Sequence, residues 1–202
     1  MSKLTLPEFP AVDRARLGGA LARLIGQQAR DAAAPSVGPR SLSGRLPDLS
    51  KLDDDAPPES AEDRGAVRHF LAMLEAAYLV AAADGLGDAE RSALGELMAE
   101  VTGEPKGSVG LASLFARFDE ALARDGAPAR LDEIAARFDD FMAREEALHF
   151  VTLIALADGS ISRREARSLI ELAERLGYSM GELQALLDSV AVSLRKELGI
   201  RA

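Results

Sequence analysis

The sequence contains no cysteine and no tryptophan, and aromatic residues make up only 4% of its 202 positions. Without cysteine, the chain can form no disulfide or iron–sulfur cluster, and thiolate catalysis and thiolate zinc sites are excluded. Hydrophobic residues nevertheless reach 48%, so the core must be built mainly from alanine and aliphatic side chains. Alanine and leucine are strong helix formers, whereas aromatic residues favour strands, and this composition therefore indicates a helical protein.

A long apolar run is also missing. No stretch approaches the roughly 18 apolar residues of a membrane-spanning helix, and the first residues lack the apolar region of a secretory signal. A cytoplasmic protein is therefore expected. The formal net charge is −9, and because residues 1–60 are nearly balanced, the excess of acids lies in residues 61–202. This charge opposes nucleic-acid binding and favours cations or basic partners, with membrane association indirect at most.

Catalytic patterns are missing as well. The sequence has no Ser–His–Asp order, nucleophile elbow, phosphate-binding loop or dinucleotide fingerprint. The histidines are His69 and His149, and both lie in predicted helices, where packing is the ordinary role. The sequence therefore predicts a protein that is not an enzyme.

Three regions follow one another along the chain. Residues 1–33 form an extension with a predicted amphipathic helix from about residue 11, and residues 34–59 form a linker rich in proline, serine and aspartate. Residues 60–202 form the main domain. The N-terminal helix has two interpretations: it docks on the main domain, or it binds a protein partner in preference to a membrane surface. A protein partner that uses residues 1–59 is therefore expected.

The main domain is expected to be an all-α bundle of about seven helices. Apolar residues recur at helical spacing between capping residues and helix-ending glycines, and no segment has a strand pattern. The predicted helices cover about residues 60–83, 88–102, 108–124, 128–141, 145–157, 162–176 and 179–198. The last two begin with the capping-box pairs Ser162–Glu165 and Ser179–Glu182.

An internal duplication is the most informative feature of the sequence. Leu79–Gly85 reads LVAAADG and Leu153–Gly159 reads LIALADG. Each copy is followed by a helix with a glutamate near its start, Glu90 in the first copy and Glu165 in the second. Two such hairpins packed with approximate two-fold symmetry would bring their Asp-Gly turns close together.

Two copies of a buried helix that ends in Ala-Asp-Gly and precedes a capped helix resemble the TerB-like domain, over about residues 62–197. That family takes its name from a tellurite-resistance protein. A related domain occurs at the N-terminus of a membrane-anchored DnaJ-type co-chaperone. The resemblance implies a bundle of about seven helices that acts in stress responses and membrane-associated complexes, without an established catalytic reaction. It also implies an acidic cluster that binds a divalent metal ion. Carried over to this chain, the cluster consists of Asp84, Glu90, Asp158 and Glu165.

These four carboxylates have two interpretations. At neighbouring turns they would form a hard-oxygen site suited to calcium, magnesium or manganese. An aspartate before a helix-ending glycine is also ordinary turn chemistry, and a glutamate in the first helical turn is the usual capping partner. The first turn departs from the second, because it is shorter and has Gly87 in place of Ser162. The protein is thus either a cation-binding TerB-like module or a metal-free scaffold recruited through its N-terminal extension.

Overall fold

In a computed structural model of the chain, the structure describes residues 4–7, 9, 19–20, 23–24, 61–85, 109–156 and 159–200. These ranges contain six α-helices, a short 3₁₀ helix and no strand. The α-helices are α1 (Ala61–Ala81), α2 (Val109–Asp125), α3 (Ala127–Ala135), α4 (Phe141–Ala155), α5 (Arg163–Arg175) and α6 (Met180–Leu198). The predicted all-α bundle is confirmed. About seven helices were expected for the main domain, and the one predicted over residues 88–102 lies outside the described residues.

Helices α1 and α4 form the centre of the bundle and pack against each other more extensively than any other described pair. Every residue from 72 to 80 on α1 and from 150 to 156 at the end of α4 is buried. A helix that is apolar on all sides needs neighbours on all sides. Helices α2, α3 and α5 pack against α1, and α5 and α6 pack against α4. The two buried segments are the two halves of the duplicated pattern, so the duplication forms the core. No helix in the described ranges is long and apolar enough to cross a membrane.

The boundary between α3 and α4 differs from the prediction. The sequence pattern indicated one helix over residues 128–141, with a break or kink around residues 139–145, and the next from about residue 145. The break comes earlier, because α3 ends at Ala135 and α4 begins at Phe141. Asp140 is the N-cap of α4, and its side chain accepts a hydrogen bond from a backbone N–H in the first turn. Phe138 lies in the loop between α3 and α4, and its side chain is buried. It follows Leu131 and Ile134 at the spacing of apolar residues on one face of a helix. That spacing is the physical reason for the error.

Capping boxes begin α5 and α6, as the sequence predicted. The backbone N–H of Ser162 donates to Glu165 Oε2 at 2.7 Å, and that of Glu165 donates to Ser162 Oγ at 3.2 Å. Ser179 and Glu182 repeat the arrangement at the start of α6. Each box satisfies backbone donors that have no partner inside their own helix.

The first residues of the chain dock on the main domain. The backbone N–H of Thr5 donates to Gln184 Oε1 at 2.7 Å, and Gln184 Nε2 donates back to the Thr5 carbonyl at 3.0 Å. Phe9 is buried, and its backbone N–H donates to the carbonyl of Gly159 at 3.0 Å. The Arg195 guanidinium lies 5.4 Å from the centre of the Phe9 ring. The extension is thereby joined both to α6 and to the second Asp-Gly turn.

The predicted N-terminal helix is described only at residues 19–20 and 23–24, which are helical. Ala20 and Leu24 are buried and belong to the same hydrophobic core as the main domain. Arg23 Nε lies 3.2 Å from Glu197 Oε2 on α6. Of the two interpretations of this helix, the described residues adopt the docked one. The rest of the predicted helix and the linker at 34–59 lie outside the described residues.

Candidate functional site

The first Ala-Asp-Gly turn is a 3₁₀ turn that directly continues α1. It spans Ala82–Asp84, and the backbone N–H of Gly85 donates to the Ala82 carbonyl at 3.0 Å. Gly85 has a φ of 92°, a left-handed conformation that glycine adopts without steric cost. The glycine therefore ends the helix and leaves Asp84 exposed at its tip.

This first turn lies against α5, the helix that follows the second turn. The 3₁₀ segment packs on α5, and Arg164 Nη1 lies 3.5 Å from the backbone oxygen of Asp84. Arg164 immediately precedes Glu165 in the first turn of α5. The fold therefore brings the turn of the first motif to the helix end that carries the glutamate of the second motif.

The second turn is described from Gly159 onward. Gly159 has a φ of 84°, and its backbone N–H donates to the Leu156 carbonyl at 2.9 Å, in the same pattern as the first turn. Ile161 is buried just before the capping residue Ser162. The second turn is also where the extension docks, since Phe9 donates to the Gly159 carbonyl.

The carboxylate of Glu165 has a structural task. One of its oxygens accepts the backbone N–H of Ser162, and the residue is half-buried at the N-terminus of α5. A carboxylate has two oxygens with about four acceptor sites, so capping does not use all of its capacity. In general, a carboxylate that caps a helix can also bind a cation through its other oxygen.

Of the four residues predicted as metal ligands, two are described. Asp84 and Glu165 lie on packed elements, whereas Glu90 and Asp158 fall outside the described residues. Among the residues that the structure describes, no group of three or more acidic or histidine side chains could hold a metal ion. The oxygen donors of Asp84 and Glu165 suit a hard cation, while the positive charge of Arg164 beside the first turn opposes one.

A buried ionic group was missed by the sequence analysis. Glu75, in the middle of α1, is 4% exposed, and Arg130 on α3 is 6% exposed. Arg130 Nε and Nη2 donate to Glu75 Oε1 at 2.8 and 2.5 Å. Arg130 also pairs with Glu133 and, at 3.4 Å, with Asp125. The signal in the sequence was a glutamate within the mainly apolar second half of α1, from Phe70 to Ala81, where a buried charge is costly unless a cation reaches it.

The histidines belong to the packing. His69 lies edge-on to Phe138, with ring centres 4.8 Å apart. Burial lowers the pKa of His69, and the nearby charges of Asp140 and Asp139 act in the opposite direction. Burial alone lowers the pKa of His149. Both imidazoles are therefore neutral near pH 7, as expected of partly buried helical side chains.

An exposed apolar group was also missed. Phe141 and Met142 occupy the first turn of α4 and are 64% and 61% exposed, although Phe141 ends the helix that the sequence predicted over residues 128–141. The Phe141 ring stacks on Tyr178, with centroids 6.0 Å apart and planes inclined by 22°. Large apolar side chains that stay exposed as a group are typical of contact surfaces.

The comparisons with known proteins agree with this fold. The family model described as "Tellurite resistance protein TerB" matches residues 70–188, which is more than half of the chain. The matched region begins within α1 and ends within α6, so it contains both Asp-Gly turns. No curated protein and no solved structure matches the chain.

Proposed function

The chain belongs to the TerB family, and from this premise we propose that it is a non-enzymatic helical module that binds a divalent cation at its paired Asp-Gly turns. The module would act within a stress-response or membrane-associated assembly in the cytoplasm. The main support for the cation is the packing of the first turn against α5, which brings Asp84 to the helix end that carries Glu165. A cation bound there would join the two halves of the duplication.

The proposed ligands are Asp84 and Glu90 from the first motif and Asp158 and Glu165 from the second. Carboxylate oxygens favour calcium, magnesium or manganese over zinc, and the net charge of −9 attracts cations to the whole domain. Without a cation, carboxylates that converge repel one another, so binding would stabilise the native state. The cation would thus have a structural role, which fits a module that assembles with partners.

The alternative is a metal-free scaffold, and two contacts favour it. Glu165 already accepts the backbone N–H of Ser162, and Arg164 already provides positive charge beside the first turn. In this alternative the turns hold the bundle together without an ion, and the protein is recruited through its N-terminal extension. Because Thr5 and Phe9 are bonded to the main domain, recruitment would then use other parts of residues 1–59.

A thermal-shift series decides between the two functions. A ligand that binds only the native state stabilises it by about 2.7 kcal/mol at a hundredfold excess over its dissociation constant. Calcium, magnesium or manganese should therefore raise the Tm of the wild type relative to chelator. Asp84→Asn and Asp158→Asn should each remove much of this rise, because asparagine keeps the turn preference and loses the charge.

The control is Glu174→Gln, which removes one negative charge from an exposed position near the end of α5. It should keep the full response to cations if the turns form the site. Glu165→Gln preserves a capping oxygen and weakens metal binding, so it should lower the response to cations. A flat response of the wild type to all three cations favours the metal-free scaffold.

A further inference from the structure

The exposed apolar group at the start of α4 forms one continuous surface with the loop before α6. We call Phe141, Met142 and Tyr178 the Phe141 patch. Phe141 and Met142 are more than half exposed, and Tyr178, which stacks on Phe141, is half-buried just before the N-cap of α6. The patch lies away from the Asp-Gly turns in sequence, and neither motif of the duplication contributes to it.

Carboxylates surround the Phe141 patch. Asp139 and Asp140 immediately precede it, and Glu145 lies one helical turn after Phe141 on the same side of α4. Glu182 lies in the first turn of α6, where hydrogen bonds from Ser179 lower the pKa of its carboxyl group and keep it ionised.

The charges of this rim act on Tyr178 at the centre of the surface. Its pKa is raised first by burial and then by the negative charges of Glu145 and Glu182. Arg144, whose Nε donates to the neutral Phe138 carbonyl at 3.0 Å, acts in the opposite direction, but it is one cation against the four rim carboxylates. The rim is therefore predominantly negative, with stacked aromatic rings between its carboxylates.

This combination suits one chemical group in particular. A guanidinium binds carboxylates through paired hydrogen bonds and also stacks on aromatic faces. Methionine adapts its shape to different apolar neighbours. We infer that the Phe141 patch binds an arginine-rich, partly apolar peptide segment of a partner protein. One arginine would lie over the stacked rings, and its neighbours would pair with the rim carboxylates.

The structure contains one example of an arginine packed over an aromatic ring. Arg195 lies over the buried ring of Phe9, 5.4 Å from its centre, where the extension docks on α6. Other occupants fit the charge less well. An anionic membrane or nucleic acid would meet like charge at the rim, and the main domain of a second copy has the same excess of acids.

The test is a fluorescence-anisotropy titration of the full chain in chelator, so that no cation site contributes. The probe is a labelled helical peptide of about 16 residues with arginine on one face and leucine on the other. A second peptide has glutamate in place of every arginine, and a third has lysine. We expect saturable binding of the arginine peptide, weaker binding of the lysine peptide and none of the glutamate peptide, because the planar guanidinium both stacks and forms paired hydrogen bonds.

Two variants and two matched controls locate the binding surface. Phe141→Ala should weaken binding about tenfold, and Glu145→Lys should weaken it to a similar extent, since each removes one half of the recognition. Val192→Ala changes an equally exposed apolar residue on α6, and Glu174→Lys makes the same charge change on α5. Both controls should bind the arginine peptide like the wild type.

Three results would overturn the inference. The first is the absence of saturable binding. The second is equal loss in Glu174→Lys and Glu145→Lys with none in Phe141→Ala, which would show non-specific attraction. The third is concentration-dependent dimerisation of the wild type that Phe141→Ala abolishes, which would make a second copy the occupant. Each outcome is independent of the proposed cation site, because the titration contains chelator.

Discussion

Arg130 on α3 and Glu75 on α1 form an ion pair inside the bundle, with only 6% and 4% of their surfaces exposed. Two nitrogens of the guanidinium donate to the same oxygen of Glu75, and its Nη1 faces Asp125 and Glu133. Arg130 thereby fixes α3 against the central helix α1 and neutralises a charge that could not otherwise remain in the core.

Removal of the Arg130 side chain should strongly destabilise the protein. Arg130→Met leaves Glu75 buried without its main partner, and we expect a loss of about 3–5 kcal/mol in the free energy of unfolding. The double variant Glu75→Leu/Arg130→Met removes both charges and should recover a large part of that loss. Urea denaturation followed by circular dichroism measures both effects. Arg124→Gln, which breaks an exposed pair with Asp125, is the control and should leave the stability nearly unchanged. A double variant no more stable than Arg130→Met would contradict the pairing.

Loss of a capping box should destabilise the protein less than loss of Arg130. Ser162→Ala and Ser179→Ala each remove the side-chain acceptor at the start of a helix, and each should lower the free energy of unfolding by about 1 kcal/mol. Ser189→Ala, at an exposed position within α6, is the matched control and should be neutral or slightly stabilising. Chemical denaturation of the three variants separates the effect of capping from the effect of losing a serine hydroxyl.

The docked extension should survive a cut in the chain. Phe9, Ala20 and Leu24 belong to the core of the main domain, so proteolysis within the proline-rich linker at 34–59 should leave the N-terminal fragment bound. Gel filtration of the cleaved wild type should recover both fragments together. Phe9→Ala removes a buried aromatic side chain, which costs about 3–5 kcal/mol in well-packed cores. The cleaved variant should therefore release its N-terminal fragment. Separation of the wild-type fragments would contradict the docking.

His149 should make stability fall in mild acid. Burial lowers its folded-state pKa below the unfolded value of 6.5. As the pH falls below about 6.5, the unfolded state takes up the proton first, and the folded state loses stability until the folded pKa is passed. The Tm of the wild type should therefore drop more steeply between about pH 7 and pH 5 than that of His149→Gln. Parallel curves for the two proteins would show that His149 contributes nothing to the acid sensitivity.

The parts of the fold that the sequence predicted are those with local causes. The starts of α5 and α6 follow from serine and glutamate three residues apart, and the end of α1 follows from the glycine after Asp84. The boundary at Phe138 and Phe141 was wrong because a buried loop residue can imitate helical spacing. Whether a periodic apolar residue lies on a helix or in a loop depends on contacts with residues that are distant in sequence. The spacing of apolar residues carries no information about those contacts.

The candidate site shows the same division. Asp84 and Glu165 could be chosen as candidate ligands because the duplication repeats their surroundings, and the fold brings the first turn to the start of α5. Glu75 pairs with Arg130, which is 55 positions away in the sequence, so no local sequence pattern predicts this ion pair. The docking of Phe9 is equally non-local, because its backbone bonds to Gly159 and its ring lies under Arg195, both far along the chain.

We propose that one divalent cation binds between the two Asp-Gly turns. The most direct measurement is a manganese titration of the isotope-labelled protein, followed by paramagnetic broadening of its amide signals. We expect the amides of Gly85 and Glu165 to broaden together, with one midpoint, and before those beside exposed carboxylates such as Glu120. We also expect Asp84→Asn to abolish the broadening at both turns. Broadening spread evenly over the exposed carboxylates, or confined to one turn, would contradict the claim.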